Sequence, residues 1–180
     1  MASAPDTWWL GERSWHGGCD EIPLPADPGR LWLCGKRFVG SDPEEALAGL
    51  GADGIVCLCE SHELQDRYPD YVHWLSTEPE RAIWFPIPDV HAPEVPTAID
   101  LLDGVRARLS SGEGLIMHCG AGVGRAGTMA AALLIRMGQS RAQALSTVAA
   151  HRPMAGPEAG PQETFLAQVA EWTIGGSRSG

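Results

Sequence analysis

His118-Cys119-Gly120-Ala121-Gly122-Val123-Gly124-Arg125 sets a cysteine and an arginine at the two ends of a five-residue stretch punctuated by glycine. Gly114-Leu115-Ile116-Met117 precedes it, short and apolar. Ala126 to Met137 follows, rich in Ala, Leu, Ile and Met. The order is buried strand, tight loop, helix start. A helix N-terminus presents unpaired N–H groups and a partial positive charge, which together suit an anion. A thiol at that place is pushed toward thiolate. An arginine beside it offers a fork of donors that matches a pair of phosphate oxygens. One turn of backbone therefore carries a nucleophile and an oxyanion cradle.

The Cys-x5-Arg spacing, with His118 before it and Gly122 inside it, resembles the signature loop of the protein tyrosine phosphatase and dual-specificity phosphatase superfamily. His118, Cys119, Gly122, Arg125, Gly127 and Thr128 all fall where that family has them. The resemblance implies that Cys119 attacks phosphorus and becomes a phosphocysteine. It implies that the N–H groups of Gly120, Ala121, Gly122, Val123, Gly124 and Arg125, with the Arg125 side chain, hold the phosphoryl oxygens. No metal or cofactor is needed for that chemistry. The helix end and Arg125 are expected to lower the thiol pKa from about 8.5. A rhodanese-type sulfurtransferase also sets a cysteine at a helix start, but gives no reason for an acid on a second loop.

Such an enzyme protonates its leaving oxygen from a carboxylic acid on a second loop. Phe85-Pro86-Ile87-Pro88-Asp89 looks like the Phe/Tyr-Pro-x-x-Asp acid loop of the compact dual-specificity members. Asp89 lies 119 − 89 = 30 residues before the nucleophile, a spacing similar to theirs. Pro86, Pro88 and Pro93 exclude regular structure around it. Alone, an Asp among prolines reads as a turn residue.

A third constellation is Arg152-Pro153-Met154-Ala155-Gly156-Pro157-Glu158-Ala159-Gly160-Pro161-Gln162-Glu163-Thr164-Phe165-Leu166. By resemblance it carries the residue that positions the hydrolytic water. Anchoring on Gln162 and Phe165 puts Glu158 in that place, and this alignment is preferred. Anchoring on Pro161-Gln162 gives the role to Gln162. Ala126 departs from the family, which has Ser or Thr there to hydrogen-bond the thiolate. Loss of that bond, worth roughly 1.5–3 kcal/mol, falls on the step where Cys119 leaves. Thr128 is a weak substitute.

The resemblance spans about residues 30 to 172 and is nearest to kinase-associated dual-specificity phosphatases. Cys59-Glu60-Ser61-His62-Glu63-Leu64 looks like their Cys-x-x-x-Glu-Leu, whose cysteine lies near the nucleophile. It implies that Cys59 pairs with Cys119 on oxidation and spares it from over-oxidation. An inert core cysteine is the alternative. Glu63 reads as a brace for a loop or for Arg125, or as a surface charge. His118, on a buried strand, reads as a structural neighbour of the nucleophile that hydrogen-bonds backbone. Cys57-Leu58-Cys59 is not a zinc signature, since no second ligand pair follows, and His16, His62, His73 and His151 share no metal spacing.

At 180 residues the chain suits a single domain with a sizeable core. Its net charge of −10 argues against nucleic acid or an anionic membrane as partner. Lys36 is the only lysine. No export signal or apolar stretch near the ~20 residues of a membrane span is evident. With a thiolate enzyme this points to the cytoplasm.

Residues 1–28, with Trp8, Trp9 and Trp15, read as an irregular segment whose indoles pack over the domain. Residues 29–174 form the expected phosphatase domain, and 175–180 a disordered tail. Strands are expected at 31–34, 55–59, 83–85 and 114–118. Helices are expected at about 43–51, 95–109, 124–137, 140–151 and 162–173, with short helix and loop over 61–79. The alternation predicts an α/β fold: a central, mostly parallel sheet flanked by helices, with the site at the carboxyl ends of the strands.

The reading is a monomeric cysteine-dependent phosphatase of phosphotyrosine, and of phosphoserine or phosphothreonine, in proteins. The chain contains no Asn, and no Arg-Tyr-x-Asn phosphotyrosine-recognition loop is visible, which suits a shallow cleft. The alternatives are a phosphoprotein-binding module with crippled turnover and a phosphatase of phosphoinositides or other small phosphates.

Overall fold

The computed structural model describes residues 10–176. The elements, in chain order, are α1 Arg13–His16, β1 Cys19–Ile22, β2 Arg30–Gly35, α2 Lys36–Val39, α3 Pro43–Leu50 and β3 Gly54–Cys57. They continue with α4 Pro69–Thr77, β4 Ala82–Trp84, α5 Val95–Ser110, β5 Gly114–Cys119, α6 Gly124–Arg136, α7 Arg141–His151 and α8 Gly160–Gly176. A 3-10 turn, Ser61–Glu63, follows β3.

The five strands form one sheet in the order β1-β2-β5-β3-β4. All neighbours are parallel except β1, which runs antiparallel on the edge. The two-residue period divides the strand side chains between two cores. Leu31, Leu33, Val56, Leu115 and Met117 face the layer that includes α5, α6 and α8. Trp32, Cys34, Ile55, Cys57 and Ile116 face α3 and α4. Helices thus cover both faces, and β5 lies in the centre with Cys119 as its last residue.

Local chemistry explains the ends of the elements. Asp42 caps α3 by accepting from the Glu45 amide at 2.9 Å, Pro43 opens the helix, and Gly51 ends it at φ 63°. In α5, Ile99, Leu102, Val105 and Leu109 are buried, so Leu102 rather than Leu101 is the inward residue. Twelve of the thirteen residues of α6 are buried. A helix apolar on all sides belongs inside a domain, and its run of Ala and Gly admits close neighbours.

The N-terminal segment departs from expectation. It is not irregular throughout: α1 and β1 lie within it, and β1 pairs residue for residue with β2, from Cys19 opposite Cys34 to Ile22 opposite Leu31. Only Ile22 of β1 is buried, so a four-residue edge strand with polar side chains left no apolar run to read. Trp15 is 74% exposed rather than packed on the domain, and Trp8 and Trp9 lie outside the described residues. At the other end α8 takes in Gly175 and Gly176, so the expected tail begins as helix; residues 177–180 lie outside the described residues.

Candidate active site

The chain leaves β5 at Cys119, turns through residues 120–123 and enters α6 at Gly124. Gly122 has φ 72°, and a Cβ there would overlap the Cys34 carbonyl, so only glycine fits this turn. No side chain caps α6 at Val123. Among the described residues none of the amides of 120–126 donates to a backbone carbonyl. The amides of Ala126 and Gly122 instead reach the Cys119 sulfur. Of the six expected amides, Gly122 thus reaches the thiol, and the other five donate to no backbone carbonyl.

Arg125, 3% exposed, is held from several sides. Its two terminal nitrogens each lie 2.7 Å from one oxygen of Glu63, a bidentate pair. Nη1 also donates to the Ile87 carbonyl at 2.8 Å. Nη2 lies 3.3 Å from Asp89 Oδ1. Nε is buried and has no hydrogen-bond partner, which leaves one donor for an incoming oxyanion. Of the readings open for Glu63, the brace for Arg125 holds. Burial by itself would raise its carboxyl, but hydrogen bonds from Arg125 and the Glu60 amide bring it below the ordinary carboxylate range. The folded pKa is depressed, so the pair stabilises above the unfolded value and that contribution is lost as pH falls through the folded one.

The thiol departs from expectation. Burial pushes Cys119 up, and the Ala126 amide, the Arg125 charge and the Gly122 amide only partly oppose it. The physical reason is enclosure of the sulfur, to which the neighbouring Cys59 thiol adds. Thr128 does not replace the missing hydroxyl, because its Oγ1 is buried without a partner. Restoring that hydroxyl by Ala126→Ser is expected to raise steady-state phosphate release about tenfold and to shrink any burst. Unchanged turnover and burst in a rapid-quench series would contradict this.

The acid loop is anchored by Phe85 and Ile87, whose amides donate to the carbonyls of Cys57 and Leu58 at 2.9 and 3.0 Å. A turn closed by the His91 amide on the Pro88 carbonyl presents Asp89, 72% exposed, toward Arg125. Val90, the next residue, has φ 56°, strained for a β-branched side chain. Gln162 is fully buried and links the two outer loops. Its Oε1 accepts from the Glu158 amide at 2.7 Å and its Nε2 donates to the His91 carbonyl at 3.2 Å. A Cβ at Gly124 would overlap Glu158 Oε2, so that carboxylate lies against the first residue of α6. The two water-positioning alignments thus describe two residues of one brace, with the free carboxylate on Glu158.

Sequence reading missed Arg152 as a site residue. It is fully buried, and Nη1 pairs with Asp20 at 2.6 Å. Nε donates to the Gly122 carbonyl at 2.6 Å and Nη2 to the Ala121 carbonyl at 2.9 Å. Asp20 on β1 is also gripped by Arg13 at 2.6 Å. One guanidinium thus holds two carbonyls in the middle of the cysteine loop. An arginine next to Pro153, at the head of the Pro/Gly loop, was the only signal in the sequence.

His118 is buried. Its Nε2 lies 2.6 Å from the Tyr71 hydroxyl, and its Nδ1 only 3.3 Å from the Cys119 carbonyl, so a side chain is its main partner. Cys57, Cys59 and His118 bring ligand atoms within 4.8 Å of one another, the one such group among the described residues. Hydrogen bonding with Cys57, then burial, pushes the Cys59 thiol well up, which disfavours the thiolate a metal requires. Cys59 and Cys119 are both free thiols.

Residues 40–139 match the family described as Tc-R-P, polymorphic toxin system, DSP-PTPase phosphatase. That range contains Cys119, Arg125, Asp89 and Glu63. Among solved structures, Tk-PTP in its active form is 25% identical, with a TM-score of 0.64 over 84% of this chain and 96% of that one. Kinase associated phosphatase is 20% identical, with a TM-score of 0.73 over 87% and 96%. PTPMT1 in complex with PI(5)P is 16% identical, with a TM-score of 0.70 over 84% and 96%. The last two likenesses concern the fold alone. No curated protein matches the sequence.

Proposed function

Because this chain belongs to the Tc-R-P family of polymorphic toxin system DSP-PTPase phosphatases, we propose that it hydrolyses phosphotyrosine, and phosphoserine or phosphothreonine, in proteins through a phosphocysteine. The observation that carries this reading is the buried Arg125 Nε without a partner, beside a thiol and a ring of amides that donate to no carbonyl.

The Cys119 thiol gives its proton to solvent, and Sγ then attacks phosphorus as the thiolate and displaces the leaving oxygen. The loop amides and Arg125 hold the three equatorial oxygens, whose charge is the main quantity to stabilise. The Asp89 carboxyl gives its proton to the leaving oxygen. Water held by the Glu158 carboxylate, itself set by Gln162, then attacks the phosphocysteine. Asp89 takes that water's proton, and Cys119 leaves as thiolate. These steps use the backbone amides of the loop and the chain's own side chains. His118 and Cys59 stand behind the nucleophile, and an oxidative Cys59–Cys119 bridge remains part of the proposal.

The net charge of −10 repels polyanionic lipid surfaces, which favours a protein substrate. The toxin-system association of the family is a context for such an activity, with a phosphoprotein as the target.

A panel of phosphotyrosine and phosphothreonine peptides, an aryl phosphate and inositol lipids tests the class. Phosphotyrosine peptides are expected to give the highest kcat/KM; faster hydrolysis of the lipids would overturn the protein assignment. Asp89→Asn is expected to cost about 10²–10⁴-fold with a phosphopeptide. The loss should be much smaller with a nitrophenyl ester, whose leaving group needs little protonation. Equal losses on both substrates would remove Asp89 as the acid.

A further inference from the structure

A hollow of about 340 Å³ adjoins the cysteine loop and shares Gly120 and Ala121 with it. Four basic side chains line it: Arg13, His16, Lys36 and Arg37. No carboxylate does. This is unusual for a chain with 23 acidic and 13 basic residues. Three other hollows each carry acids: Glu94 and Glu171 in one, Glu12, Asp42 and Glu45 in the second, and Glu60 in the third.

The cations differ in their commitments. Arg13 is paired with Asp20. Lys36 Nζ donates to the Glu63 carbonyl at 2.8 Å, which sets the single lysine of the chain beside the residue that clasps Arg125. Arg37 is exposed and makes no hydrogen bond or ion pair. It stands on the ridge shared with the hollow of Glu12, Asp42 and Glu45, yet pairs with none of them. Most other arginines of the described chain are tied to carboxylates, among them Arg30, Arg81, Arg108 and Arg136. The exposed Trp15 indole borders the same hollow and offers a flat apolar face.

The geometry points to a second anion subsite: this hollow takes a phosphoryl or carboxylate group that flanks the phosphorylated residue on the same protein segment. This rests on the phosphoprotein reading above and narrows it to acidic or multiply phosphorylated segments. Long-range repulsion by the chain's net charge makes the unpaired, exposed Arg37 a filter for orientation rather than a general attractor.

Binding and turnover are measured separately, so that failure of the subsite and failure of the enzymatic reading are distinguishable. Binding uses Cys119→Ser protein with two phosphotyrosine peptides that differ only in a flanking Glu or phosphoserine against Gln or Ser. The acidic peptides are expected to bind about fivefold more tightly at low salt, the scale of one or two partly exposed ion pairs. The preference should shrink at high salt. Adding Arg37→Ala should erase most of it, and Arg37→Glu should reverse it, while Arg37→Ala in otherwise wild-type protein leaves aryl phosphate hydrolysis unchanged. Equal binding of both peptides, or a preference that survives Arg37→Glu, overturns the subsite. So does an Arg37-dependent preference for vesicles containing phosphoinositide over both peptides, which would make the hollow a headgroup site. Absence of hydrolysis in wild-type protein, with the charge preference intact, would sink the enzymatic reading and leave the subsite standing.

Discussion

Cys119→Ser is expected to lower phosphate release by about 10³-fold or more while leaving the fold intact, since a removed nucleophile is the most costly single change in covalent catalysis. Sulfur and hydroxyl oxygen differ little in size, and the position is 3% exposed at the end of a central strand. The hydroxyl is far harder to ionise than a thiol, even one that burial has pushed up. Binding should persist, because the loop amides and the open Arg125 Nε do not depend on the sulfur. The variant should therefore retain phosphopeptides that the wild type consumes. Stopped-flow release of phosphate and equilibrium binding check both halves. Residual turnover within tenfold of wild type would remove Cys119 as the nucleophile.

Arg152→Met is expected to damage both stability and catalysis. Breaking one side of a buried ion pair costs about 3–5 kcal/mol. The carbonyls of Gly122 and Ala121 also lose the donors at 2.6 and 2.9 Å. Asp20 keeps Arg13, so the loss on β1 is partial while the loss under the loop is complete. Freed carbonyls let the peptide planes rotate, and a displacement of about 1 Å in a reacting group can cost about 10²-fold. Urea unfolding should show a lower midpoint with the same slope. The surviving folded protein should show reduced kcat on a small aryl phosphate. Arg152→Lys keeps the charge but not the fork, and its activity should fall between the two. A variant with unchanged kcat would mean that the loop holds its own shape.

The contrast between these two residues shows where the sequence was informative. Cys119, Arg125 and the amides between them form one continuous stretch, so strand, loop and helix could be read together. The irregular loop that carries Asp89 was legible because prolines leave few other conformations around it. The grip on Arg125 was only half legible: Glu63 was one of several readings, and its bidentate contact spans 62 residues of sequence. The contact of Arg152 with Asp20 spans 132 residues and depends on a four-residue edge strand that has no apolar pattern. The thiol's direction was misread for a related reason. A helix start and an arginine are local facts, and both do act downward on the thiol, whereas enclosure of the sulfur is made by the tertiary fold.

The central claim is that Cys119 itself carries the phosphoryl group between two half-reactions. Wild-type protein mixed with a ³²P-labelled phosphotyrosine peptide and quenched in acid within the first turnovers tests it most directly. The account predicts label on the peptide that contains Cys119, chased away by unlabelled substrate and absent from Cys119→Ser. Steady hydrolysis with no label on any cysteine would contradict it.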